Sequence, residues 1–174
     1  MPFHVVLVEP EIPPNTGNIA RLCAATCCPL HLVGRLGFSI DEHAVRRAGL
    51  DYWHLVDVRT HTDLAAAELA VAQARQPDRS QARSWLFSAK ASRSYLEVRF
   101  ELGDALIFGK ESVGLPPELL EARRESVVAI PTLGAVRSLN LANAVGIALY
   151  EALRQNSALE VDRATGSEPP GGPR

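Results

Sequence analysis

Six short runs of this sequence are mostly apolar: residues 3–8 (FHVVLV), 30–33 (LHLV), 53–58 (WHLVDV), 85–88 (WLFS), 105–108 (ALIF) and 127–130 (VVAI). Each is too short for a stable helix and carries β-branched or aromatic residues, so each reads as a strand. Helical patterns separate them. These fall at residues 16–26, after Ser39, where SIDE forms a capping box with Glu42, at 62–75, in short turns after Pro116, and at 139–155. Strands apolar on both faces and separated by helices need cover on both sides, which predicts an α/β fold: a mostly parallel sheet flanked by helices.

With 174 residues, the chain is long enough for one domain that buries roughly 70% of its unfolded surface. Residues 1–155 are read as that domain. The polar segment 76–83 is a loop, and residues 156–174, ending GSEPPGGPR, have the composition of a disordered tail. A net charge of −2 gives no global attraction to polyanions, so a nucleic-acid partner requires a local basic patch. Cys23, Cys27 and Cys28 are odd in number and crowded, which suits reduced thiols and no disulfide framework. Together with the absence of an 18-residue apolar run and of a basic, cleavable N-terminal leader, this leads to the expectation of a cytoplasmic protein.

Several ligand sites are excluded at the positions where they should appear. A dinucleotide fold needs a glycine-rich turn after its first strand, yet EPEIPPNTGN has three prolines and one glycine. A P-loop needs a glycine five residues before its Gly-Lys pair and Ser or Thr directly after it; Asp104 and Glu111 stand there. Ser112 misses the spacing of a nucleophile elbow, and the histidines form no metal-ligand motif in sequence. The remaining polar residues gather in PPNTGNIAR (13–21), FGKESVGLP (108–116) and IPTLGAVRSLN (130–140). Glycine-lined loops without a phosphate nest suit a ligand held by backbone and apolar contacts.

In order and spacing these segments resemble the signature motifs of the SPOUT superfamily of RNA methyltransferases, most closely the TrmL-type tRNA 2′-O-methyltransferases that act on the wobble nucleotide. The first motif is carried by Asn15, Gly17, Asn18 and Arg21, the second by Gly109, Glu111, Gly114, Leu115 and Pro116, and the third by Ile130, Pro131, Arg137, Ser138, Leu139, Asn140 and Tyr150. The similarity extends through LGFSIDEHAVRRAGLDYWHL and covers about residues 3–155. Two positions depart from it: Lys110, where relatives often have proline or asparagine, and Leu139, where close relatives often have methionine.

The resemblance implies a deep trefoil knot in the C-terminal part, which ordinary connection rules would not propose. It implies S-adenosyl-L-methionine as methyl donor, S-adenosyl-L-homocysteine as product, and no metal. The cofactor contacts carried over by position are Ala89, Gly109, Glu111, Gly114, Ile130, Leu133, Ser138 and Leu139, most of them through backbone. Arg21, Ser138 and Asn140 carry over as the catalytic group. The expected RNA contacts are Asn18, Arg21, Arg46, Arg47, Arg137, Tyr150 and Arg154.

Chemistry refines these roles. Arginine stays protonated, so Arg21 is expected to hold the neighbouring phosphate or the hydroxyl and stabilise the developing alkoxide. Glu111 is expected to brace its loop by accepting hydrogen bonds from Asn18 or from backbone N–H groups. Ser138 and Asn140 are both suited to cap the last helix. In that helix Leu139, Ala142, Gly146, Leu149 and Leu153 form one apolar stripe, and Leu141, Val145, Ala148 and Ala152 a second, which predicts a homodimer through it. Two further readings stand beside the leading one: methylation of another RNA such as ribosomal RNA, against which the short stretch before Phe3 argues, and a catalytically silent RNA-binding protein.

Overall fold

The computed structural model describes residues 2–38, 53–74 and 83–159. Its strands are β1 (His4–Val8), β2 (Leu30–Val33), β3 (Val58–His61), β4 (Ser84–Phe87), β5 (Ala105–Phe108) and β6 (Val127–Val128). Its α-helices are α1 (Pro13–Thr26), α2 (Leu64–Gln73), α3 (Pro117–Ala122) and α4 (Leu141–Gln155). The helix expected after Ser39 lies outside the described residues.

The strands form one six-stranded sheet in the order β3-β2-β1-β5-β4-β6. All of its described pairings are parallel. Register explains why the strands are apolar throughout. Val5, Leu7, Leu30, Leu32, Leu106 and Phe108 pack on one side with Ile19 and Cys23 of α1 and Val145, Leu149 and Leu153 of α4. Val6, Val33 and Ile107 pack on the other side with Ala67 and Val71 of α2, against which Leu119 and Leu120 of α3 are placed.

Local chemistry moves some expected boundaries. Helix α1 starts at Pro13, because prolines at its first two positions lack only N–H groups that a helix would leave unpaired. Asp63 caps α2 by accepting from the Ala66 N–H at 2.9 Å. The strand expected at 53–58 is instead a single 3-10 turn, Trp53–Leu55, followed by β3 with the sequence VRTH. Among the described residues β3 pairs only with β2, so as an edge strand it can carry Arg59, Thr60 and His61 and lacks the apolar signature of a central strand. Strand β6 is the opposite edge and is only two residues long. Beyond it, Ala129 leaves the sheet to bridge Ser94. Asn156 closes α4, its side chain donating to the Phe100 and Ala152 carbonyls at 3.0 and 2.9 Å.

The structure also joins three histidines that showed no motif in sequence. His4 Nδ1 lies 3.0 Å from His31 Nε2, and His31 Nδ1 lies 2.9 Å from His61 Nε2, so a relay of imidazoles crosses β1, β2 and β3. Burial, reinforced by nearby Arg59, lowers His4 to about 4; burial, with its two histidine neighbours, lowers His31 to about 3. Both rings are therefore neutral at pH 7, and neutral rings can make both contacts as N–H···N bonds.

Candidate functional site

Strand order reverses between β1 and β5, since β2 and β3 extend to one side and β4 and β6 to the other. In an open parallel sheet the crevice beyond the carboxyl ends of the strands at such a point is the natural ligand site. The first motif lies on the opening turns of α1, which follows β1, and the second on the loop leaving β5. The third follows β6 on the same edge.

Glu111 ties these loops together. Its Oε2 accepts from the Glu11 N–H at 2.8 Å, and its Oε1 accepts from the Ile12 N–H at 3.2 Å and from Asn15 Nδ2 at 3.0 Å. Burial acts to raise its pKa, but these bonds outweigh burial and leave it below the usual carboxylate range. Asn15, and not the expected Asn18, is the side-chain partner, because Asn18 lies one turn further along α1 and is exposed. With both oxygens taken up by its own chain, Glu111 braces the loop. The anion at the N-terminus of α1 is thus internal, where a dinucleotide fold would place a pyrophosphate.

The network continues into the third motif. Asn140 Nδ2 donates to Asn15 Oδ1 at 2.9 Å, and Asn140 Oδ1 accepts from the Ala142 and Asn143 N–H groups at 2.9 and 3.3 Å. Asn140 is therefore the N-cap of α4, and Ser138, two residues earlier and exposed, is not. The side chain of Asn140 is engaged in this network through both its oxygen and its nitrogen. Glu111, Asn15 and Asn140 link all three motifs.

Two further links join the β1 and β5 loops. Lys110 Nζ pairs with Glu9 Oε2 at 2.7 Å, and the Ser112 N–H donates to Glu11 Oε2 at 3.1 Å. Gly109 is glycine for a local steric reason: a Cβ there would stand 2.2 Å from the Gly114 carbonyl carbon and 2.3 Å from Leu115 N. Gly114 takes the left-handed conformation, φ +78°, and faces open space where its Cβ would be.

The other expected cofactor contacts share this edge. Ala89 is exposed after β4, Ile130 is half-buried after β6, and Leu139 is half-buried before α4. Leu133 is fully exposed, with Val113 and Val136 also exposed on these loops. Arg21 and Arg137 are exposed on α1 and on the loop before α4. Arg154 is held by Glu151 through two contacts, at 2.8 and 2.9 Å, and Tyr150 is exposed on the same helix. Arg46 and Arg47 lie outside the described residues. The Asn15–Asn140 bond, the Lys110–Glu9 pair and the histidine relay join residues far apart in sequence; Asn15 and Asn140 carry a signal there as members of the first and third motifs, and Lys110 as a departure from the family pattern.

A parallel α/β sheet with three hydrogen-bonded loops at its switch point defines a ligand-binding enzyme domain that uses no phosphate nest. Residues 2–150 match the SpoU rRNA methylase family, and the chain belongs to that family. A tRNA (cytidine(34)-2′-O)-methyltransferase of Acidovorax sp. (strain JS42) is 49% identical over 161 residues, covering 90% of this chain and 94% of that protein. A solved structure concerned with the 2-OH methylation of C/U34 on tRNA aligns at a TM-score of 0.78 with 49% identity, over 90% of this chain and 97% of that one. An AdoMet-bound rRNA methyltransferase from Sinorhizobium meliloti aligns at 0.67 with 25% identity, over 88% of this chain and 56% of that one.

Proposed function

We propose that this protein transfers a methyl group from S-adenosylmethionine to the ribose 2′-hydroxyl of the wobble nucleotide, cytidine or uridine 34, of tRNA. The observation that carries this reading is the 49% identity, over nearly its whole length, to a methyltransferase named for that reaction. The loops fit the cofactor: Gly114 and Gly134 leave open space on their Cβ sides, and Leu133, Val113 and Val136 offer exposed apolar surface to a nucleoside. When bound, the sulfonium supplies an electrophilic methyl. Backbone after β4, β5 and β6, at Ala89, Gly109, Gly114 and Ile130, with Leu133, Ser138 and Leu139, would hold the cofactor. Glu111, Asn15 and Asn140 keep these loops in register.

Arg21 binds the substrate phosphate or the reacting oxygen and stabilises negative charge there. Ser138 and Arg137 approach the same nucleotide from the N-terminus of α4, while Asn18, Tyr150, Arg154, Arg46 and Arg47 grip the tRNA backbone. Residues 1–155 act as one cytoplasmic domain, and 156–174 as a tail. Residues 129–156 pass through the crossover 88–104 as a knot. Supporting this, the Ala129 N–H donates to the Arg93 carbonyl at 2.8 Å, and the Phe100 N–H donates to Gln155 Oε1 at 3.0 Å.

The active unit is a homodimer through α4. Leu149 and Leu153, placed in a separate stripe by the sequence, join Val145, Ala148 and Ala152 in the core. Ile147 and Tyr150 remain outward at 39% and 46% exposure. Among the described residues a Cβ at Gly146 would meet only Leu22, at an ordinary 3.9 Å, so none of them demands glycine there, and close approach by a second α4 would.

The test is methylation of bulk tRNA from a strain lacking the enzyme, followed by nucleoside mapping. Label at the ribose of nucleotide 34 is expected. Label confined to ribosomal RNA, or to another tRNA position, overturns the assignment.

A further inference from the structure

We propose that Lys110 and Glu9 are a positioning pair: their contact across the β1–β5 switch point holds the cofactor loop in its binding conformation and so sets the affinity for S-adenosylmethionine, although neither side chain touches it. The proposal rests on the cofactor reading above.

Glu9 is built for this contact. It takes the left-handed conformation, φ 48°, which is unfavourable for an L-residue and needs support from its surroundings. Its N–H donates to the Val33 carbonyl at 2.8 Å. Gly34 lies against its side chain so closely that a Cβ there would stand 2.8 Å from Glu9 Cγ. Walled off on the β2 side, the Glu9 carboxylate reaches Lys110 Nζ at 2.7 Å on the β5 side. Lys110 in turn is the base of the loop, since its carbonyl accepts from the Gly114 N–H at 2.9 Å and the two residues pair as a bridge.

Three consecutive residues of the loop therefore meet the β1 turn: Lys110 through Glu9, Glu111 through Glu11, Ile12 and Asn15, and Ser112 through Glu11. The Lys110 contact adjoins Gly109, where the loop folds back onto the backbone of Gly114 and Leu115. Arg35 also acts on Glu9, and Glu11 on Lys110, so the pair sits among mixed charges. Both side chains are about one-third exposed, 35% and 36%, so solvent screens them and their contribution to folding is small. What the pair adds is geometry, at a loop whose backbone must meet a ligand within fractions of an ångström.

The experiment is calorimetric binding of S-adenosylhomocysteine to wild type, Lys110→Met, Glu9→Gln, the double variant, and the reversed pair Glu9→Lys with Lys110→Glu. Each single variant and the double should weaken binding by the same factor, about two- to five-fold, because either change removes the whole interaction. The reversed pair should recover most of the loss, Tm should hold across the set, and the effect should appear in KM for S-adenosylmethionine and not in kcat. Single variants that bind like wild type, or a double variant that loses the product of the two single effects, overturn the proposal. Wild type that fails to bind S-adenosylhomocysteine overturns instead the cofactor reading beneath it.

Discussion

The two walls of the crevice are built differently. The wall made by the β1 and β5 loops is cross-linked by Glu111, Glu11 and the Lys110–Glu9 pair, and its central glycine is pressed against backbone. The wall after β6 is anchored at its ends, by Ala129 on Arg93 and by Asn140 on Asn15, while every residue from 131 to 138 is exposed. One wall is finished by the chain itself. The other leaves its apolar surface, Leu133 and Val136, for a ligand to cover, which is how a binding loop on a rigid scaffold is expected to look.

Substitutions at the braced wall should have the largest effects. Gly109→Ala places a Cβ against immobile backbone and should cost at least about 3 kcal/mol or force the loop open, abolishing S-adenosylhomocysteine binding; Gly114→Ala, with open space but positive φ, should cost only about 1 kcal/mol. Urea denaturation with calorimetry separates the two, and equal effects would break the contrast. Glu111→Ala leaves the Glu11 and Ile12 N–H groups and Asn15 without their acceptor, and a loss of about 2–4 kcal/mol is expected in the same assay.

Acid should act first on the sheet itself, through the histidines that join β1, β2 and β3. His4 and His31 have folded pKa values of about 4 and about 3, below the 6.5 of the unfolded chain. The unfolded state therefore gains protons first, and stability present above pH 6.5 is lost as pH falls toward 4. The expected loss is about 3 kcal/mol for each ring. Protonation of Glu111 then adds to it, because its lowered pKa means its stabilisation is lost as pH falls through that value. Replacing His31 with Gln should flatten the upper part of this profile, measured as Tm against pH, and an unchanged profile would remove the relay from the account. The smallest stability effect belongs to Leu133→Ala, below about 0.5 kcal/mol at a fully exposed site, with weakened cofactor binding as its signature.

The same contrast explains what the sequence could disclose. Central strands such as ALIF are buried on both faces, so composition marks them, and β2 and β5 have the expected ends. Edge strands answer to one neighbour, so VRTH was passed over in favour of the apolar WHLVDV before it. The motif residues Asn15, Glu111 and Asn140 were visible, but their pairing spans 96 and 125 positions and depends on which turn of α1 faces β5. No local pattern encodes that. Lys110 looked anomalous because its partner, Glu9, is on another loop. The three histidines are distant in sequence and become neighbours only through strand order.

Hydrogen–deuterium exchange with and without S-adenosylhomocysteine tests the two-wall account most directly. Amides of residues 131–138 should exchange fast in the free protein and become protected on binding, while Glu11, Ile12 and Ser112, already hydrogen-bonded to carboxylates, should be slow in both states. Equal protection of both walls in the free protein, or a 131–138 segment unchanged by the ligand, would contradict it.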